Sequence, residues 1–194
     1  MQKAIREALD AHLALLSWVR EHQVARIGEA ARVLIDALES GGKVVLFGNG
    51  GSAADAQHIA AELVGRFQRE RAGLPAIALT TDTSVLTSIA NDYGFEHVFA
   101  RQVEALARPE DVIVALSTSG DSPNVLAGVT AAMKLGCATV GLTGRDGGKL
   151  GKAVSVHLNV PHADTARVQE AHITLGHILC ACVDAALGGP GAAA

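Results

Sequence analysis

The chain has few aromatic residues, few cysteines, no basic cluster and no apolar run long enough to span a bilayer. Each shortage closes off a class of protein. Only 3% of its 194 residues are aromatic although 49% are hydrophobic, so alanine, valine, leucine and isoleucine must build the core. A chain of this length is expected to form a single domain, 1–194, large enough to need neither disulfides nor metal staples. Cys137, Cys180 and Cys182 are odd in number and lie in apolar segments. That pattern predicts buried free thiols in a reducing cytoplasm, not a disulfide framework. The formal net charge is −4, which with no basic patch argues against nucleic acid as a partner. The N-terminus alternates acidic, basic and apolar residues as a helix does, unlike a signal peptide. No membrane partner is expected. Two common phosphate signatures are missing as well. No Gly-Lys-Ser/Thr follows a glycine loop, and Gly48-Asn49-Gly50-Gly51 lacks the Gly-x-Gly-x-x-Gly spacing of dinucleotide sites.

What is present alternates in a regular way. Residues from Gln2 to about Ser40 show helical spacing (Ile5, Leu9, Leu13, Leu16, then Val24, Ile27, Ala31, Leu34, Leu38), and predict a helical N-terminal arm over 1–40. Gly41-Gly42 ends it. Strand-like apolar runs follow at Val44–Phe47, Pro75–Thr80, Val112–Leu116, Ala138–Leu142 and Val154–Val160. Helix-like stretches fall between them at Ser52–Arg66, Ser84–Asn91, Phe95–Leu106 and Ser122–Leu135, and a last helix spans about Thr165–Leu187. Apolar strands alternating with helices predict a parallel sheet covered on both faces. The fold class expected is α/β: a three-layer α/β/α sandwich over 41–188 with five parallel strands, and a frayed tail at 189–194.

The chemistry concentrates after two of these strands. Val44–Phe47 runs into Gly48-Asn49-Gly50-Gly51-Ser52, which opens a helix carrying His58 and Glu62 one turn apart on one face. Glycines admit a ligand close to the backbone, Ser52 is placed to cap the helix with Asp55 as its capping-box partner, and free N–H groups there suit oxygen-rich ligands. The second loop, Ser117-Thr118-Ser119-Gly120-Asp121-Ser122, follows Val112–Leu116 and precedes a helix with Pro123 in its first turn. Its hydroxyls and N–H groups suit a phosphate dianion without any lysine, although a turn of this composition also caps helices. In an open parallel sheet both loops would face one crevice beyond the strand ends.

On the last helix, Gln169 and His177 lie two turns apart and roughly 80° around the axis, so they face one site together. His172 points away from them and reads as structural. Pairs such as His58 and Glu62 most often sit on a half-exposed helix without further role. Together with Gln169 and His177, they make two nitrogens and two oxygens that suit a zinc-like ion. Asn91-Asp92 either turns the chain or hydrogen-bonds a polyol. Arg66 either pairs with Glu62 or faces solvent, and Asp164 is a weaker contact candidate.

Taken together, Gly48–His58, Thr80-Thr81-Asp82-Thr83, Ala90-Asn91-Asp92, Ser117-Thr118-Ser119-Gly120 and Gln169-Glu170-Ala171-His172 resemble the sugar-isomerase (SIS) domain. Within it, they resemble the phosphoheptose isomerase family. The resemblance covers nearly the whole chain. It implies a cytoplasmic homotetramer with active sites between subunits, interconverting sedoheptulose 7-phosphate and D-glycero-D-manno-heptose 7-phosphate at the entry to heptose synthesis for lipopolysaccharide or capsule. Ser52, Ser117, Thr118, Ser119 and Ser122 would hold the phosphate. Asn49, Gly50, Gly51, Asn91 and Asp92 would contact the sugar. His58, Glu62, Gln169 and His177 would bind one zinc ion, with Glu62 and His177 also serving as acid/base residues. One relative of this fold binds the replication initiator DnaA and is not an enzyme; apolar or amide residues stand there in place of Glu62 and His177.

Overall fold

A computed structural model describes residues 1–188, so the tail expected to fray at 189–194 lies outside the described residues. The N-terminal arm forms two helices, α1 (Gln2–His22) and α2 (Val24–Glu39), which meet at Gln23. Five strands follow: β1 (Val44–Gly48), β2 (Ala76–Ala78), β3 (Val112–Ser117), β4 (Ala138–Gly144) and β5 (Val156–Val160). Between them run α3 (Gly51–Val64), α4 (Thr83–Tyr93), α5 (Ala100–Leu106), α6 (Pro123–Leu135) and α7 (Gly148–Ala153), and α8 (Thr165–Leu187) ends the chain. The strands are all parallel in the order β2-β1-β3-β4-β5. The expected five-stranded parallel sheet is therefore present.

Strand alternation sorts the core into two halves. Val44 and Leu46 of β1, with Val112, Val114 and Leu116 of β3, pack under α1, α2, α3 and α8. Val45 and Phe47, with Ile113 and Ala115, pack under α5, α6 and α7. Every residue of β1 and β3 is buried, as in sheets covered on both faces. Aliphatic side chains do most of the filling, joined by one stacked aromatic pair, Phe47 and Phe99, at 4.9 Å. Asp111, 2% exposed, joins the N-terminal ends of the two central strands. It accepts from Lys43 N (2.8 Å), Lys43 Nζ (2.5 Å) and Arg108 N (2.8 Å).

The structure redraws some boundaries. The helix expected at Phe95–Leu106 is a short 3₁₀ turn at Phe95–His97 followed by α5, and α7 is an element the apolar pattern did not announce. Helix α4 runs to Tyr93 because Gly94, at φ +95°, is where the chain turns out of it. Asn91 and Asp92 thus sit in its last turn and not in a loop. The arm's stripe also divides. Ile27, Ala31 and Leu34 are core residues, whereas Ile5, Leu9 and Leu13 are more than half exposed.

Candidate active site

The order β2-β1-β3-β4-β5 places the topological switch between β1 and β3, where open parallel sheets bind ligands. Both loops named above leave the carboxyl ends of those strands. They are tied by a reciprocal amide pair, Asn49 Nδ2 to Asn124 Oδ1 (2.9 Å) and Asn124 Nδ2 to Asn49 Oδ1 (2.8 Å). One crevice therefore serves both.

The first loop turns at Gly50, whose φ of +58° favours glycine. Gly50, not Ser52, is the N-cap of α3, and no side chain caps that end. The helix starts two residues earlier than a serine cap requires, so Ser52 is drawn into the first helical turn and buried at 3% exposure. Asp55 closes no capping box. Its Oδ2 is buried without a partner, and burial raises its carboxyl above the ordinary value despite the opposing pull of His58 and His177. In the second loop Ser117 Oγ lies 3.0 Å from Ser122 Oγ and 3.4 Å from Ser119 Oγ, and it accepts Gly120 N at 3.2 Å. Thr118 and Ser119 are half-buried. The hydroxyls of residues 117, 119 and 122 converge as a phosphate cradle requires, with Ser122 as N-cap of α6.

Helices α3 and α8 run side by side in the same direction. Gly51 abuts Gln169 near their starts, and Ile59 abuts Gly176 a little over two turns on. That contact carries His58 and Glu62 to His177. His58 Nε2 lies 3.0 Å from Glu62 Oε1 and 3.2 Å from His177 Nε2, and one ligand atom from each of the three falls within 4.8 Å of the others. Ligands around a tetrahedral zinc at Zn–N of 2.0–2.1 Å are about 3.3 Å apart. The observed separations and the nitrogen–oxygen chemistry of the donors fit such an ion. Gln169 lies two turns earlier on α8 with its amide against Gly51, where an added Cβ would come within 2.5 Å of Nε2.

Residues 9–144 match the SIS domain family. The phosphoheptose isomerase of Geotalea daltonii is 53% identical over 189 residues, which cover 97% of this chain and 98% of that one. The solved phosphoheptose isomerase of Neisseria gonorrhoeae is 46% identical with a TM-score of 0.90, covering 95% of this chain and 98% of that one. That of Francisella tularensis is 36% identical with a TM-score of 0.92 over the same shares. The chain belongs to the phosphoheptose isomerase family.

Within this family's fold the remaining candidates divide. Asn91 Nδ2 donates to Asp92 Oδ1 (2.8 Å) and both residues are exposed. Arg66 faces solvent near Glu70, at 3.4 Å, and does not pair with Glu62. Asp164 is the N-cap of α8, accepting Ala166 N at 2.9 Å. His172 is fully buried with Nε2 3.0 Å from the Thr143 carbonyl, the structural residue its helical position predicts. Among the described residues the cysteines are free, Cys137 and Cys180 buried and Cys182 half-buried; burial pushes the Cys180 thiol up to about 12. Helix α8 is long and apolar enough to cross a bilayer, yet 44% of its apolar window is buried inside the protein, as in a core helix. Two features escaped the sequence reading. Asn124 had only its place after Pro123 to mark it. Phe67, whose ring stacks on His177 at 5.4 Å and 19°, had no local signal at all.

Proposed function

We propose that the chain interconverts sedoheptulose 7-phosphate and D-glycero-D-manno-heptose 7-phosphate through an enediol. The product enters nucleotide-activated heptose synthesis for lipopolysaccharide or capsule. The observation that carries this reading is the meeting of Glu62 and His177 between α3 and α8, with α3 opening at the glycine loop that leaves β1 at the switch of the sheet. Aldose–ketose isomerisation moves a proton between C1 and C2 while the O1 and O2 protons are redistributed. It needs a base at carbon, an acid/base at oxygen and stabilisation of the enediolate. Glu62 takes the carbon-bound proton and returns it to the neighbouring carbon. His177 moves the proton between the two oxygens. Ser52, Ser117, Thr118, Ser119 and Ser122 hold the phosphate, so the reacting carbons stay at a fixed distance from it. Asn49, Gly50, Gly51, Asn91 and Asp92 contact the sugar chain.

Zinc is the cofactor proposed for His58, Glu62, Gln169 and His177, and when bound it supplies Lewis acidity to the substrate carbonyl. The protein acts in the cytoplasm as a homotetramer with active sites between subunits. Two features support the assembly. Ile5, Leu9 and Leu13 are exposed on α1, and an apolar groove of about 410 Å³ lies between α1, α2 and α8, lined by Leu16, Val19, Val24, Ile27 and Ile178 among others. No site residue lines that groove, and an exposed apolar stripe with a matching groove suits a second copy of the chain.

The alternative, a non-enzymatic partner of DnaA, finds no support. The relatives described above bear the isomerase name, and a binding role has no use for Glu62 and His177. Proton NMR of purified protein with sedoheptulose 7-phosphate, with and without a chelator, tests the proposal. Appearance of the aldoheptose 7-phosphate is expected, and its loss with chelator would assign the metal. No turnover even with added zinc would overturn the isomerase reading.

A further inference from the structure

Residues 65–75, between α3 and β2, form neither helix nor strand, yet their Arg71 makes, with Asp184 of α8, the most completely enclosed ion pair among the described residues. The side chains of Arg71 and Asp184 are each 2% exposed and meet at 2.6 Å. Arg71 also donates through Nη2 to the Glu62 carbonyl (2.9 Å) and through Nη1 to the carbonyls of Leu63 (2.8 Å) and Ala72 (3.1 Å). Its guanidinium therefore satisfies carbonyls left open at the C-terminus of α3, the end that carries Glu62. The second oxygen of Asp184 accepts the backbone N–H groups of Gln68 (2.8 Å) and Arg69 (3.0 Å). Burial pushes the Asp184 carboxyl up, but these donors outweigh it and hold the group below its ordinary value. One buried pair thus joins the end of α3, the segment after it, and α8 two turns beyond His177.

Such a pair is weak evidence for stability, since apolar residues of the same size often replace it without loss. What it does fix is geometry. The two N–H groups held by Asp184 belong to the residues that follow Phe67, and the Phe67 ring lies against the imidazole of His177. That imidazole also meets His58 edge-on, at 5.0 Å and 66°. A histidine held on one face by a stacked ring and at one edge by a second imidazole has little freedom about χ2.

We propose that Phe67 is a positioning residue for His177, seated by the Arg71–Asp184 pair. It sets the plane of the imidazole so that Nε2 stays aimed at His58 and the reacting oxygens. Phe67 presents only carbon to the site, so it acts through His177 and not on the substrate. The inference rests on the reading of His177 as the acid/base residue of an isomerase.

The test uses the full chain with Phe67→Leu and Phe67→Tyr. Each is followed by kcat, KM and the ring-proton shifts of His177 in histidine-labelled protein. Phe67→Leu is expected to lower kcat by roughly tenfold to hundredfold, since a misplacement of about 1 Å can slow a reaction about 10²-fold. KM should change less than twofold, and the His177 ring protons should move downfield as the ring current is lost. Phe67→Tyr keeps the stacked face and should restore both. A kcat within twofold of wild type in Phe67→Leu would overturn the proposal, as would a loss that Phe67→Tyr fails to restore. If the wild-type chain turns over no heptose phosphate, the isomerase reading itself fails. The ring-proton shifts then still decide whether Phe67 holds His177, and unmoved shifts in Phe67→Leu would refute it.

Discussion

His58 Nε2 and His177 Nε2 lie 3.2 Å apart although 119 residues separate them in the chain. Their meeting depends on how closely α3 and α8 approach. At Gly176 the approach leaves no room for a methyl group, because a Cβ there would come 2.6 Å from Ile59 Cδ1. Close parallel packing of two helices thus turns two weak spacing patterns into one site.

Glu62→Gln and His177→Gln are each expected to cut kcat by roughly 10²–10⁴-fold, the range that a positioned acid or base contributes. Neither side chain is buried in the core, so melting temperature should stay close to wild type. A variant retaining near-wild-type turnover would remove that residue from the mechanism.

Ser119→Ala should act mainly on KM. A hydrogen bond to a charged group contributes about 1.5–3 kcal/mol, or roughly a tenfold to hundredfold rise in KM. The phosphate is held alike in ground and transition states, so kcat should change far less. Steady-state kinetics with sedoheptulose 7-phosphate checks this, and an unchanged KM would argue against the hydroxyl loop as the phosphate cradle.

Gly51→Ala separates stability from function. Gly51 opens α3, where alanine is favoured over glycine by about 1 kcal/mol in helix propensity. Yet its Cβ would fall 2.5–2.7 Å from the amide atoms of Gln169. The expected variant melts no lower than wild type but binds zinc more weakly in calorimetry, because Gln169 has been pushed aside. Unchanged zinc affinity would remove Gln169 from the metal site.

His172 should make the fold sensitive to mild acid. Burial lowers its imidazole from 6.5 to about 4, against the opposing effect of the Thr143 carbonyl. Between those values the unfolded chain binds a proton that the folded chain refuses. Stability is therefore full above pH 6.5 and falls as pH drops toward 4, by up to about 3 kcal/mol. Asp184, held below 3.8, adds its own loss only beneath that window. Urea midpoints across pH 4–7 should show the slope in wild type and a flatter one in His172→Gln; equal slopes would contradict the assignment.

Strands β1 and β3 and their loops were legible in the sequence because their signals are local. An uninterrupted apolar run followed by Gly-Asn-Gly-Gly-Ser or Ser-Thr-Ser-Gly leaves few alternatives to a buried strand ending at a ligand loop. Helical period likewise placed His58 with Glu62 and turned His172 away from His177. The same signals gave Ser52 a capping role that the left-handed turn at Gly50 removes. They also set Asn91 and Asp92 in a loop that α4 extends through.

The sequence by itself determined the element types, the parallel sheet and the chemical character of the loops, since period and turn chemistry act over a few residues. Tertiary structure alone decided which helices meet. The 3.2 Å approach of two histidines, the reciprocal amides of Asn49 and Asn124, the enclosure of Arg71 with Asp184, and Phe67 against His177 all join distant segments. No local pattern encodes such contacts. They follow from the sheet order and from how closely glycine lets the helices pack.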